Sequence, residues 1–180
     1  MSESFKGFNP YQEIGRQGYN VAVNVFDTLT TYGADYVPAP MLATKWERIN
    51  DTTWRFDLRD NVLFHDGTPF DAAAAKFSID QIKKSNQGKS LKLVTEVKVI
   101  DPHTIDFVLS GPFPSLPAVL TQQYASIVSP TAYSKLGANE FAKHPVGSGP
   151  FKFEGQDSSG TVTLTRNDRY WLKDTRAFCV

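Results

Sequence analysis

The sequence predicts a protein that combines α-helices with β-strands, and three patterns indicate this. Residues 54–59 alternate apolar and polar side chains, which is the period of a half-buried strand. Between residues 19 and 29, apolar side chains fall at helical spacing, so we expect a helix that packs one face on a core. Asp71 precedes an alanine-rich run over residues 72–78, which is typical of a capped helix.

Two hairpins are predicted from short apolar runs joined by turn-forming residues. After the strand at 54–59, an Asp-Asn pair at 60–61 predicts a turn, and residues 62–64 resume the alternation as a second strand. The runs at 94–99 and 105–109 flank an Asp-Pro-His segment and predict the other hairpin. The chain from residue 54 to residue 78 is therefore expected to form hairpin, turn and helix.

Helix-capping residues and loop composition place the remaining elements. Ser115 is expected to cap a short helix. Ser129 and Pro130 are expected to open a further helix, which ends at Gly137. Asn-Gln-Gly at residues 86–88 predicts a loop.

Composition excludes several classes of protein. The 180 residues can bury one core, which can be split into two lobes. Lys and Arg together number 19, as do Asp and Glu, so the net charge of zero argues against binding nucleic acid through phosphates. The apolar runs are too short and broken for a transmembrane helix. A single cysteine, Cys179, allows neither an internal disulfide nor a four-cysteine metal site.

The three histidines do not have the spacing of a metal site. Paired imidazoles three or four residues apart on a helix would indicate a metal, and His65, His103 and His144 are far apart in the sequence. We expect His65 to play a structural part within its own turn, His103 to be exposed, and His144 to help fix the bend that follows it. No metal or other cofactor is expected.

No catalytic constellation is found either. Ser148 lies between two glycines, but a nucleophile elbow needs a strand, a turn and a helix, and here a proline and a predicted strand follow. Acidic residues between 57 and 71 are accounted for by a strand, by turns and by the helix cap. A hydrolase that uses Ser148 remains an alternative, and the sequence favours a binding protein over an enzyme.

Three segments have distinctive turn-rich motifs. The first is Val-Leu-Phe-His-Asp-Gly-Thr-Pro-Phe at residues 62–70. The second is His-Pro-Val-Gly-Ser-Gly-Pro at 144–150, a bend that leads into a strand paired with residues 161–165. The third is Arg-Asn-Asp-Arg-Tyr-Trp at 166–171. Together they resemble the family 5 extracellular solute-binding proteins, which are the receptors for peptides and nickel in ABC importers. The resemblance extends over residues 8–171 in the family's order. It departs in the middle of the alanine-rich helix, where many relatives have Asp-Val and this chain has Ala-Ala.

The resemblance implies an α/β fold like that of the type II periplasmic binding proteins. A mixed-sheet lobe would pack beside a smaller, β-rich lobe. Residues 1–45 would begin the main ligand-binding lobe, residues 46–144 would form the smaller lobe, and residues 145–180 would return to the main lobe. Members of the family are well over twice as long, so the chain is expected to be the N-terminal portion of a larger receptor.

The implied function is capture of a small ligand by closure of two lobes, followed by delivery to an ABC permease in the membrane. Three loops are expected to line the cleft, and their candidate contacts are Tyr19, Asn20, Gln87, Gln123 and Tyr124. A di- or oligopeptide is the first choice of ligand, while nickel complexes, glutathione, haem and sugars stay open.

The resemblance also implies a setting for such a receptor. The protein would be a monomer outside the cytoplasmic membrane, in a periplasm or at a cell surface, either free or lipid-anchored, and without a nucleic-acid partner. The other alternative to transport is an interaction domain that uses the same fold.

Overall fold

Helices and strands alternate along the part of the chain that the computed structural model describes, residues 7–173. The helices are α1 (Gly15–Val25), α2 (Ala72–Lys84), α3 (Leu116–Val119) and α4 (Pro130–Phe141). The strands are β1 (Thr30–Tyr32), β2 (Pro38–Pro40), β3 (Ala43–Asn50), β4 (Thr53–Leu58), β5 (Val94–Asp101), β6 (Thr104–Leu109), β7 (Phe151–Gln156) and β8 (Val162–Arg166). Two 3₁₀ turns lie at Asn86–Leu91 and Gln123–Ala125. The mixed fold predicted from the sequence is confirmed.

The largest sheet is antiparallel and has four strands in the order β3-β4-β6-β5. One face carries Phe56, Ile105 and Phe107, which are fully buried in the core, and α2 packs on β5 and β6. Removing such side chains from water stabilises a fold by about 2 kcal/mol each. The alternation at residues 54–59 therefore reports a real strand, and the predicted hairpin at 94–109 is confirmed as β5 and β6.

The other face of this sheet carries a row of alternating charge. Glu47, Arg55, Asp106 and Lys98 lie directly opposite one another, one on each strand. Arg55 donates from Nε and Nη2 to the two carboxylate oxygens of Asp106, both at 2.8 Å. Opposite charges on neighbouring strands attract, so this row favours the observed register.

Two of the three predicted helix caps form, whereas Ser115 precedes α3 as expected but makes no side-chain capping hydrogen bond within the described part of the chain. Asp71 accepts a hydrogen bond from the backbone N–H of Ala74 at 2.8 Å and so caps α2. Ser129 does the same for α4 through the N–H of Ala132 at 3.1 Å, and Pro130 occupies the first turn as expected.

Four local predictions need correction. Residues 62–64 form no second strand, because Asn61 is left-handed (φ 57°) and the next turn follows at once, which leaves room for a single bridge between Leu63 and Pro69. The first helix begins earlier than predicted and ends at Val25, where the chain becomes extended. Residues 86–88 belong to a 3₁₀ turn rather than a loop. Gly137 interrupts α4 (φ 72°), but helix resumes as far as Phe141.

One continuous core joins the early and late segments of the chain. Phe8 packs on Phe153 of β7 with ring centroids 5.0 Å apart, and Phe26 stacks on Phe141 of α4 at 6.3 Å. The buried apolar residues form a single cluster. A shared core does not mark where one lobe ends and the other begins. The lobe boundaries predicted from the sequence, at residues 45 and 145, therefore stay a prediction. Within residues 7–173, no helix has the length and hydrophobicity to cross a bilayer.

Candidate ligand-binding groove

A groove of about 710 Å³ lies beside α1 and brings together four of the five predicted contact residues. Tyr19 reaches it from α1, Gln87 from the first 3₁₀ turn, and Gln123 and Tyr124 from the second. These residues come from three separate segments, but the segments are not the loops that were expected: Tyr19 lies in an α-helix and the other three lie in 3₁₀ turns. Their contact with a ligand stays a prediction.

Asn20 is the one predicted residue that does not line the groove. It is exposed on α1, and its backbone carbonyl accepts a 2.8 Å hydrogen bond from Nδ2 of Asn24. Asn24 lies one turn further along the helix and does line the groove. Tyr19 and Val23, four residues apart, share one face of α1, and Asn24 beside Val23 takes the place that was predicted for Asn20.

Several lining residues were not found from the sequence. They include Gln12, Thr31, Tyr32, Met41 and Gln122. Two of these residues carried a signal. Gln122 adjoins the predicted contact Gln123, and Tyr32, half-exposed on β1 in the structure, is a tyrosine like Tyr19. Nothing in the local sequence marks Met41, which follows the end of β2 and lines the groove.

Local hydrogen bonds hold the second 3₁₀ turn in place. Nε2 of Gln123 donates to Oγ of Ser126 at 2.7 Å, and that hydroxyl donates to the carbonyl of Gln123 at 2.6 Å. The hydroxyl of the buried Tyr11 donates to the carbonyl of Ser126 at 2.9 Å. The turn that carries Gln123 and Tyr124 is therefore fixed to the core.

Asp27 lies at the base of the groove and is fully enclosed by donors from distant segments. Its carboxylate accepts from Oγ of Ser148 at 2.9 Å, from the hydroxyl of Tyr170 at 3.1 Å and from Nε1 of Trp171 at 3.0 Å. Burial raises the pKa of Asp27 above its ordinary value. Burial also raises the pKa of Tyr170, and the neighbouring Asp27 carboxylate adds to that increase.

Arg59 continues this cluster away from Asp27. Its guanidinium lies 4.3 Å from the centre of the Trp171 ring, a cation–π contact. Its Nε donates to the carbonyl of Met41 at 2.6 Å. Since Met41 lines the groove, Arg59 ties the groove wall to the segment that carries Tyr170 and Trp171.

The geometry around Ser148 does not resemble a nucleophile site. Ser148 is fully buried, and its hydroxyl donates to a carboxylate rather than to an imidazole. His65 instead contacts the neighbouring backbone. Its ring Nε2 lies 2.9 Å from the carbonyl of Gly149, and its backbone N–H donates to the carbonyl of Gly147 at 2.8 Å. Burial lowers the pKa of His65. The alternative of a hydrolase that uses Ser148 finds no support here.

The histidine predictions have mixed outcomes. His65 is structural, but its partners lie in the bend at 147–149 and not in its own turn. His103 is exposed, as predicted. The prediction for His144 was wrong, because its side chain is exposed and lies 3.3 Å from Glu140 of α4 instead of fixing the bend. No group of three or more potential metal ligands occurs among residues 7–173, and Cys179 lies outside the described residues.

Comparison with known proteins identifies the family. The model of the bacterial extracellular solute-binding proteins, family 5 (middle region) matches residues 37–178. The chain therefore belongs to the family 5 solute-binding proteins, as its three motifs predicted. Proteins of this family are periplasmic or extracellular binding proteins of ABC transporters.

Two curated relatives are binding proteins named for small peptides. The probable D,D-dipeptide-binding periplasmic protein DdpA of Escherichia coli K12 is 33% identical over 136 residues, 72% of this chain and 26% of DdpA. The glutathione-binding protein GsiB of Salmonella paratyphi A is 29% identical over 178 residues, 95% of this chain and 34% of GsiB. The chain thus spans about a third or less of the length of these relatives.

Solved structures show the same fold. The periplasmic binding protein AgaA of A. tumefaciens R10, in complex with agropinic acid, is 28% identical with a TM-score of 0.86, over 94% of this chain and 35% of AgaA. DppA of Helicobacter pylori, an ABC transporter-associated protein in complex with the peptide STSA, is 27% identical with a TM-score of 0.81 over 92% of this chain and 38% of DppA. The expected periplasmic-binding-protein fold is confirmed for the part of that fold that the chain covers.

Proposed function

We propose that this chain supplies one wall of the ligand site in a receptor that captures a di- or oligopeptide for an ABC importer. The observation that carries the proposal is the groove, where tyrosines and side-chain amides from several separate segments meet. Flat aromatic rings contact a ligand over a large area, and amides hydrogen-bond to both the N–H and the C=O groups of a peptide. The peptide and glutathione names of relatives support this class of ligand.

Capture would follow from closure of two walls. A receptor of the relatives' length has about two thirds of its residues outside the region that this chain matches. We place the opposing wall there. A ligand that touches both walls only in the closed state shifts the open and closed populations toward closure. Micromolar affinity corresponds to about −8 kcal/mol, and one wall alone would retain only part of this free energy.

The proposal extends to the setting of the whole receptor. It would act as a monomer, outside the cytoplasmic membrane and either free or lipid-anchored, and it would pass its ligand to a membrane permease. The three-segment division, with residues 1–45 and 145–180 in the main lobe and 46–144 in the smaller lobe, belongs to the same proposal.

Titration of the isotopically labelled chain with dialanine, followed by nuclear magnetic resonance, tests the proposed function. We expect weak binding whose chemical-shift changes lie at the groove and not on the outer face of the four-stranded sheet. The same peptide should bind at least about 100-fold more tightly to a receptor of the relatives' length, a difference of about 2.8 kcal/mol. Shifts confined to other surfaces, or equal affinity in the two proteins, would refute the proposal.

A pair of tyrosine variants localises the binding. Tyr19 is 51% exposed and lines the groove, whereas Tyr36 is 85% exposed and does not line it. Loss of an aromatic contact costs about 1 kcal/mol, so Tyr19→Ala should weaken dialanine binding about fivefold. Tyr36→Ala is the control and should leave binding unchanged.

A further inference from the structure

The groove is lined by no cationic side chain. All of its lining residues lie within 7–173, and none of them is Lys, Arg or His. Its carboxyl groups belong to Glu13 and Asp27. A bound carboxylate or phosphate would normally be held by an Arg or Lys, so this wall offers an anion no counter-charge.

Arg59, the cation beside the Asp27 cluster, makes its contacts outside the groove. Arg59 lines a separate cavity of about 400 Å³. Its guanidinium stacks on Trp171 and its Nε donates to the carbonyl of Met41. Arg59 therefore braces the back of the groove wall and does not present its charge to the groove.

Among residues 7–173, three side-chain amides of the wall form hydrogen bonds within the protein through their N–H groups but not through their carbonyl oxygens. The side-chain amides of Asn24, Gln122 and Gln123 each donate an N–H inside the protein: Asn24 to the carbonyl of Asn20 at 2.8 Å, Gln122 to Oγ1 of Thr121 at 3.2 Å, and Gln123 to Oγ of Ser126 at 2.7 Å. Their side-chain carbonyl oxygens accept no hydrogen bond from the described residues.

Two hydroxyls of the wall also donate inward. Oγ1 of Thr28 donates to the carbonyl of Thr30 at 2.6 Å, and Oγ1 of Thr121 donates to the carbonyl of Ala118 at 2.8 Å. The side-chain carbonyl oxygens of Asn24, Gln122 and Gln123 thus remain as acceptors on the wall, while the amides of Asn24 and Gln123 each keep a second N–H. A ligand face that carries donors satisfies those acceptors, whereas a carboxylate, which only accepts, does not.

Resting on the proposed function, we infer that this wall selects a ligand face that is rich in hydrogen-bond donors and uncharged or cationic. Amide N–H groups, hydroxyls and ammonium groups fit it. A carboxylate on the same face loses its hydration without gaining a counter-charge, which disfavours binding. The anionic end of a zwitterionic ligand is therefore directed away from this wall.

Three probes that share the trialanine backbone test the charge preference on the labelled 180-residue chain. Acetyl-trialanine amide is neutral, trialanine amide is cationic, and acetyl-trialanine with a free carboxylate is anionic. We expect the neutral and cationic probes to shift groove resonances with affinities at least about tenfold higher than that of the anionic probe, equivalent to 1.4 kcal/mol. Because the formal net charge of the chain is zero, the ranking reports the local wall and not long-range attraction.

A charge-insertion variant tests the same inference from the side of the protein. The side chain of Gln87 lines the groove and has no hydrogen-bond partner among the described residues, so Gln87→Lys removes no internal bond. It should raise the affinity of the anionic probe about fivefold and lower that of the cationic probe. Gln81→Lys is the control, because Gln81 lies on α2 and lines a different cavity.

The outcomes separate the two proposals. If all three probes shift the groove and the anionic probe binds as tightly as the neutral one, the charge preference is wrong and the proposed function stands. If no probe shifts the groove, both are wrong. An anionic affinity that Gln87→Lys leaves unchanged, or that Gln81→Lys raises equally, also contradicts the charge preference. The ranking by the unmodified chain decides the question even if a variant does not fold.

Discussion

Asp27 shows how one residue can organise a site. Its carboxylate is buried, it accepts three hydrogen bonds from two other segments, and it lies at the base of the groove. A buried carboxylate is costly when charged, and this cost raises its pKa even though its donors favour the charged form. The residue therefore couples the stability of the protein to pH.

The sign of this coupling can be predicted. A raised native pKa means that the folded state holds the Asp27 proton more tightly, so the contribution is fully present below pH 3.8, the ordinary value, and is lost as pH rises through the native pKa. Asp27→Asn removes the titration. The free energy of unfolding of the native protein minus that of Asp27→Asn should therefore fall as the pH rises above about 4 in urea denaturation.

Asp168 provides the matched control for this measurement. Its side chain is 92% exposed on the surface. The difference in unfolding free energy between the native protein and Asp168→Asn should show no comparable fall over the same range of pH. A difference for Asp27→Asn that stays constant or grows with pH would contradict the prediction.

At the residue level, Tyr19, Gln87, Gln123 and Tyr124 were proposed from loop composition and from the family resemblance. The structure brings them to one groove, and their contact with a ligand stays a prediction. Asp27 was not singled out, because its partners lie 121, 143 and 144 positions away and no local pattern reports them. Long-range pairs of this kind are visible only once the chain has folded.

At the scale of elements, the bend at residues 147–149 lies directly against the end of α1. The N–H of Gly149 donates to the carbonyl of Val25 at 3.0 Å. A Cβ on Gly147 would lie 2.1 Å from that same carbonyl oxygen, and a Cβ on Gly149 would lie 2.6 Å from the carbonyl oxygen of Asn24. Glycine is required here by close approach of two backbones, which explains the Gly-Ser-Gly motif.

A pair of glycine substitutions tests this packing. Gly147→Ala forces the backbone of α1 and the bend apart and should lower the free energy of unfolding by about 3 kcal/mol or more. Gly155 is the control, because it lies in β7 and a Cβ there meets no atom within 4 Å. Gly155→Ala should change stability by less than about 0.5 kcal/mol. Chemical denaturation of the two variants measures both values, and equal effects would refute the explanation.

Element-level prediction worked best where one run of sequence sufficed. The strand at 54–59, the hairpin at 94–109 and the cap at Asp71 depend on neighbours in the chain, and all three were found. The prediction of a strand at 62–64 was wrong because the apolar residues there point into the core from a loop. Their alternation is the same as that of a strand, but among the described residues the backbone hydrogen bonds to a neighbouring strand are missing apart from a single bridge. Burial and strand pairing are separate facts that one pattern cannot distinguish.

At the scale of the whole molecule, the buried side chains form one cluster that reaches from Phe8 to Phe141. The segments proposed for the two lobes meet within that cluster, as in the stacking of Phe26 on Phe141. A shared core favours unfolding in a single step, whereas two independent lobes would unfold separately.

Variants that each keep one tryptophan measure this cooperativity. Trp54 reports on the four-stranded sheet, where its Nε1 donates to the carbonyl of Phe113 at 3.2 Å, and Trp171 reports on the Asp27 cluster. Fluorescence from either tryptophan and far-ultraviolet circular dichroism should give the same urea midpoint. Midpoints that differ beyond the fitting error would show that the two regions unfold independently.

The wide sequence separation of the Asp27 contacts also has a consequence for folding. The base of the groove is complete only when the donors at positions 148, 170 and 171 have been synthesised and have returned to α1. Closing loops of such length costs entropy before any contact repays it, so these bonds form late and refolding is slow.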